Sequence, residues 1–142
     1  MATFSRNATV NWEGSIMEGK GQLKAGTGAF TLPVTFPRRI GEPGGQTSPE
    51  ELIAAAHAAC FSMALSHGLA QAGTPAEKLE TSAKVTFVPG TGITTSALTV
   101  VGTVPGIDEE TFRQAAETAK DGCPVSQALS GNVALSVDAR LA

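Results

Sequence analysis

The chain has no cluster of basic residues. Its 10 lysines and arginines are outnumbered by 13 aspartates and glutamates, giving a formal net charge of -3 over 142 residues. Binding to a phosphate backbone draws its affinity from grouped Lys and Arg, so no nucleic-acid partner is expected. A basic-then-apolar leader is also missing: Met1, Ala2, Thr3, Phe4, Ser5 and Arg6 soon give way to the polar Asn11, Trp12, Glu13 and Gly14. No apolar run reaches the ~20 residues that a membrane-spanning helix needs. The longest, about Leu52 to Leu65, is interrupted by His57 and Ser62 and reads as a buried core helix. Linkers, low-complexity runs and internal repeats are absent as well. The expectation is one cytoplasmic domain covering residues 1–142, with no membrane partner. Charged residues make up only 16% and hydrophobic residues 42%, which argues against disorder. A chain of this size buries roughly 70% of its unfolded surface. Aromatic residues are scarce at 5%, and the many Ala and Leu residues suggest that any pocket is apolar.

Cysteine and histidine are also scarce, at two each. A reducing compartment disfavours a purely structural disulfide. Two cysteines there are redox-active, metal-binding or unrelated core residues, and composition leaves all three readings open. A zinc site calls for three or four protein ligands, and the candidates are His57, Cys60, His67 and Cys123. His57 and His67 would lie about 15 Å apart along a straight helix, so one ion could not take both. No metal site is expected, and His57 reads as a satisfied helix residue.

What is present organises the chain. Gly14, Gly19, Gly21, Gly26 and Gly28 punctuate short apolar runs such as Ala8, Val10, Trp12 and Phe30, Leu32, Val34, a pattern of strands and tight turns. Residues 36–48 carry Pro37, Gly41, Pro43, Gly44 and Gly45 and read as an irregular loop bearing Arg38 and Arg39. Ser48, Pro49, Glu50 and Glu51 form a capping box. The helix that follows is apolar on most sides, so burial on more than one face is expected, with an end near Gly68 or Gly73. Residues 82–88 and 94–104 read as strands. Phe112, Ala115, Ala116 and Ala119 mark a helix from Asp108 to about Lys120, and residues 132–141 alternate as a closing strand. Strands and helices that do not strictly alternate indicate an α+β fold.

Local chemistry treats the two thiols differently. Cys60 falls mid-helix, where a free cysteine is commonly a small core residue. Cys123 precedes Pro124, which suits a first helical position. The partial positive charge of a helix start favours a thiolate, so Cys123 is the easier thiol to ionise. Arg38 and Arg39 have an ordinary reading as solvated charges. Glu50 and Glu51 are accounted for by the helix start alone.

Residues 48–65, Ser48 through Cys60 to Leu65, nevertheless closely resemble the motif helix of the osmotically inducible protein C (OsmC) family, related to the organic hydroperoxide resistance proteins. Gly122, Cys123, Pro124, Val125, Ser126 and Gln127 resemble the family's second cysteine motif. Asn11 to Gly14 and Val104 to Asp108 look like its OsmC branch. The resemblance spreads over almost the whole chain. It implies antiparallel sheets around a long buried central helix, in an intertwined homodimer with active sites at the subunit interface. It further implies a thiol peroxidase acting on organic hydroperoxides and needing no cofactor. Cys60 matches the peroxidatic position, Cys123 the resolving one and Glu50 the family's glutamate. Arg39 is the better match to its arginine and Arg38 the second choice. A dithiol donor, which in the family can be a lipoylated protein, would restore the thiols. The competing reading is a redox sensor or binding module whose thiols oxidise once without turnover. Ten residues of helix rise about 15 Å, so Glu50 cannot act directly on the Cys60 of its own helix. Either Arg39 spans part of that gap or the arginine and glutamate come from the partner chain, and the interface site that the resemblance implies favours the second.

Overall fold

The computed structural model describes every residue from Met1 to Ala142. It divides into two compact units, Met1–Pro49 and Glu50–Ala142.

The first unit is a three-stranded antiparallel sheet followed by a short helix. Strands β1 (Ala8–Glu13), β2 (Lys20–Ala25) and β3 (Thr31–Val34) lie in the order β1-β2-β3. Register places Val10 opposite Leu23 and Leu23 opposite Leu32, with Trp12 opposite Gly21 and Gly21 opposite Val34. Side chains opposite one another share a face, so one face is apolar and the other carries Asn11, Glu13, Lys20 and Gln22. Gly21 has no side chain because Trp12, Val34 and Val10 close over it. The apolar face is open within the chain, with Val10 52% and Trp12 40% exposed. Helix α1 (Phe36–Ile40) occupies a stretch expected to be irregular. Pro37 does not prevent it, because a proline in the first turn lacks only an N–H that has no intrahelical partner. Thr35 caps α1 by accepting from the Arg38 N–H, and its hydroxyl donates to Gln46.

The second unit holds the hydrophobic core. Helix α2 (Pro49–Gln71) is followed by β4 (Lys78–Val88) and β5 (Gly92–Thr103). Then come α3 (Glu109–Gly122), α4 (Pro124–Leu129) and β6 (Ala134–Leu141). The chain leaves α2 through Gly73, at φ 82°, with the Thr74 N–H reaching back to the Leu69 carbonyl. A left-handed glycine with this back-bond is a common way to satisfy the last helical carbonyls. Gly68 lies inside the helix, so of the two expected stops Gly73 is the real one. Asp108 caps α3, accepting from the Thr111 N–H at 2.8 Å.

Strands β4 and β5 form an antiparallel hairpin, but β5 pairs with β6 in parallel. This departs from the expectation of wholly antiparallel sheets. Helices α3 and α4 form the crossover that a parallel pair requires. Phe61, Leu65 and Leu69 of α2 join Leu98 and Val100 of β5, Phe112, Ala116 and Ala119 of α3, and Ala139 of β6 in one cluster.

Helix α2 is 23 residues long, and by length and composition it could cross a membrane. It buries His57, Phe61, Leu65 and Leu69, one stripe at four-residue spacing. Burial on more than one face is not realised within a single chain: Ala55, Ala56, Ala59 and Met63 are exposed, Met63 by 73%.

Gly102 of β5 carries the ring of Phe112. A Cβ added there would lie 2.5 Å from the ring carbon Cζ. Forcing extra volume into such a contact costs ~1–3 kcal/mol. Gly102→Ala is therefore expected to lower the thermal midpoint by about 3–10 °C for a chain of this size, as read by calorimetry. An unchanged midpoint would mean that the Phe112 ring moves aside freely.

Candidate active site

Two thiols from distant parts of the second unit meet. Cys60 lies in the fourth turn of α2 and is half-buried, whereas Cys123 is fully buried. Cys123 ends α3 and begins α4: its N–H donates to the Ala119 carbonyl, and Pro124 takes the first helical position after it. Extended backbone at this junction, φ -63° and ψ 128°, separates the helices and fixes the thiol between them.

The two sulfurs form a hydrogen-bonded pair in which Cys60 donates to Cys123. Burial pushes the Cys60 thiol up, and its bond to Cys123 pushes it further, against a smaller downward pull from the Val125 N–H. Cys123 behaves oppositely. Burial pulls it upward, but the bond from Cys60 outweighs this together with Ser126, through N–H and hydroxyl, and Val125. The net shift of Cys123 is downward. Of the two thiols Cys123 is therefore the easier to ionise, as the helix-start argument anticipates. The sulfur open to a reactant is the other one, Cys60.

The structure also shows a feature that sequence patterns do not reveal. His57, one turn before Cys60, is fully buried. Its Nδ1 lies 2.6 Å from the Ser96 hydroxyl on β5, and its Nε2 lies 2.8 Å from the Ser126 hydroxyl on α4. Both ring nitrogens are committed, which fits a satisfied histidine, and burial lowers its pKa. The serines stand 39 and 69 residues from His57, too far for any local pattern to link them. Ser126 lies within the second cysteine motif, but its part there emerges only from the fold.

The other expected site residues are placed as follows. Glu50 opens α2, and Cys60 comes ten residues later in the same unbroken helix, about 15 Å away. The structure does not bring these two together within one chain. Arg38 is held inside the first unit: it donates to the Glu42 carbonyl at 3.2 Å, and its guanidinium rests over Gly44, where a Cβ would be only 2.7 Å away. Arg39 follows it on α1 and is half-buried.

Residues 41–138 match the family model for OsmC-like proteins, more than half of the chain. The chain belongs to the OsmC family. It is 44% identical over 138 residues to the peroxiredoxin OsmC of Escherichia coli strain K12, covering 94% of this chain and 95% of that protein. It is 31% identical over 118 residues to an organic hydroperoxide resistance protein of Xanthomonas axonopodis pv. citri, covering 80% of this chain and 82% of the other. A crystal structure of an organic hydroperoxide resistance protein OsmC from Legionella pneumophila superposes with a TM-score of 0.78. It is 26% identical and covers 99% of both chains. The OsmC fold thus extends over both units, and the resemblance read from the cysteine motifs is confirmed at the level of the family.

Proposed function

We propose that this protein is a thiol-dependent peroxidase that reduces organic hydroperoxides through Cys60 and Cys123. The pairing of a half-exposed cysteine with a buried one, in a chain of the OsmC family, carries the reading. The Cys60 thiolate attacks one peroxide oxygen, the O–O bond breaks, and the departing oxygen takes a proton to leave as an alcohol. Cys60 is left as a sulfenic acid. Cys123, already against it, attacks the Cys60 sulfur, the S–O bond breaks and water leaves. An external dithiol, which a lipoylated protein could supply, returns two electrons by exchange.

The upward shift of Cys60 means that the first step needs a cation. Arg39, the better match to the family's arginine and half-buried on α1, supplies it. Glu50 holds the guanidinium by a bidentate pair. Both come from the second copy of a homodimer. Two observations support that assembly: the open apolar face of the first sheet and the uncovered Ala55, Ala56, Ala59 and Met63 surface of α2. A helix apolar all round is normally buried all round.

Turnover is the test of the activity. With excess dithiothreitol, each protein molecule is expected to convert many molecules of an alkyl hydroperoxide to alcohol, whereas a sensor would stop after one. For the arginine, Arg39→Ala is expected to lower kcat/KM on the order of 100-fold, and Arg38→Ala by less than about fivefold. A mixed dimer of C60S and R39A chains is expected to recover about half of the wild-type rate, since each closed two-fold dimer then holds one intact site. No recovery would place Arg39 in the same chain as the Cys60 it serves.

A further inference from the structure

One buried polar cluster plays no part in the steps above. His57, Ser96 and Ser126 come from α2, β5 and α4 and are at most 1% exposed. They are joined by the short bonds at Nδ1 and Nε2. Polar side chains removed from water cost stability unless paired, and no buried side-chain polar atom is left without a partner. The cluster also reaches the dithiol. Ser126 stands three residues after Cys123, and its N–H and hydroxyl both face the Cys123 sulfur.

Proton counting fixes what the cluster can do. A neutral imidazole has one donor and one acceptor, and each serine hydroxyl has one proton to give. If Ser126 gives its proton to His57 Nε2, none remains for the sulfur. If Ser96 donates to Nδ1, the Nε2–H donates to Ser126 and leaves the Ser126 proton for Cys123. Burial keeps His57 neutral, so it cannot donate on both sides. The Ser126 N–H and hydroxyl already face the Cys123 sulfur in the dithiol. As the sulfur gains charge it becomes a far better acceptor, and a charge-assisted bond is the stronger kind. Ionisation of Cys123 thus selects the second arrangement.

We propose that Ser96 and His57 are positioning residues that hold Ser126 as the hydroxyl donor to Cys123, supporting the Cys123 thiolate when it attacks Cys60 and when it is released. This rests on the reading of Cys60 and Cys123 given above. The release step follows from exposure. A donor thiolate attacks the half-exposed Cys60 sulfur and forms a mixed disulfide. The Cys60–Cys123 bond breaks, and its electron pair stays on Cys123. The second donor thiol then attacks its own bound sulfur, displaces the Cys60 thiolate and leaves as the oxidised donor. Two electrons have entered, and the donor's protons return to the two cysteines. A better-stabilised thiolate leaves faster.

The test separates the two half-reactions. The disulfide is formed with diamide, and its reduction by dithiothreitol is followed by acid quench, alkylation and mass measurement. Oxidation of Cys60 by an alkyl hydroperoxide is timed separately in a single turnover. Ser126→Ala and His57→Leu are expected to slow disulfide reduction at least about threefold, with Cys60 oxidation changed less than about twofold. His57→Gln, which keeps an N–H toward Ser126 and an acceptor toward Ser96, is expected to recover most of the loss seen with leucine. Equal losses in both half-reactions, or wild-type reduction in S126A, would overturn the proposal. Should S126A or H57L fail to fold, Ser96→Ala carries the test: it frees the ring to turn its proton toward Nδ1, and reduction is expected to slow. Reduction at the wild-type rate in S96A would then overturn it. Since diamide forms the disulfide without peroxide, a lack of peroxidase activity would appear only in the oxidation arm.

Discussion

Cys60→Ser is expected to abolish hydroperoxide reduction, lowering kcat/KM on the order of 10⁴-fold or more, as losing a covalent nucleophile does. A serine hydroxyl stays protonated at neutral pH and has no sulfur to accept the peroxide oxygen. Nothing else at the site can replace it. Cys123 is fully enclosed, and His57 has both nitrogens bonded to serines. The substitution is close in volume at a half-buried position, so the thermal midpoint should change little. Loss of activity with the fold intact, shown by alcohol formation beside a melting curve, separates chemistry from unfolding. Substantial activity in C60S would move the nucleophile elsewhere.

Cys123→Ser should behave differently. The first peroxide is still reduced, because Cys60 and its access are unchanged, but no second thiol remains to close the disulfide. One equivalent of alcohol per chain is expected as a burst, followed by a stall with dithiol donors that depend on the disulfide. Excess peroxide then drives Cys60 from sulfenic to sulfinic acid, which thiols do not reverse. The burst amplitude and the mass of the Cys60 peptide report this. A variant that keeps wild-type steady-state turnover would show that Cys123 is not the resolving thiol. The serine also breaks the hydrogen-bonded pair that draws negative charge to Cys123, so the burst rate tells whether that pairing hinders or helps the first attack.

These expectations rest on features that were unevenly legible in the amino-acid order. Helix starts were plain: Asp108 caps α3 through a local bond, and such bonds involve residues close in sequence. Gly73 and Gly68 were equal candidates for the end of α2, because composition does not tell which glycine takes positive φ. Helix α1 is hidden because Pro37 carries the mark of a helix breaker, although the first turn tolerates it. The direction of β6 was unreadable, since alternation fixes which side chains share a face but not which way a strand runs. The preference for charge at Cys123 was legible from Pro124 alone. That Cys60 meets Cys123 was not, for 63 positions separate them, and only the family resemblance joined them. The serines around His57 belong to the same class: long-range partners chosen by packing.

The order of attack is the claim on which the rest depends, and local charge and accessibility pull it in opposite directions. Trapping with dimedone, which reacts with sulfenic acids, decides it. The wild-type protein receives one equivalent of an alkyl hydroperoxide, is quenched at successive times and is digested for peptide mass measurement. With dimedone added at each quench, the adduct is expected on Cys60 alone at early times, and its yield falls at later quench times as the Cys60–Cys123 disulfide accumulates. An early adduct on Cys123, or a disulfide-free protein after peroxide is consumed, would contradict the account.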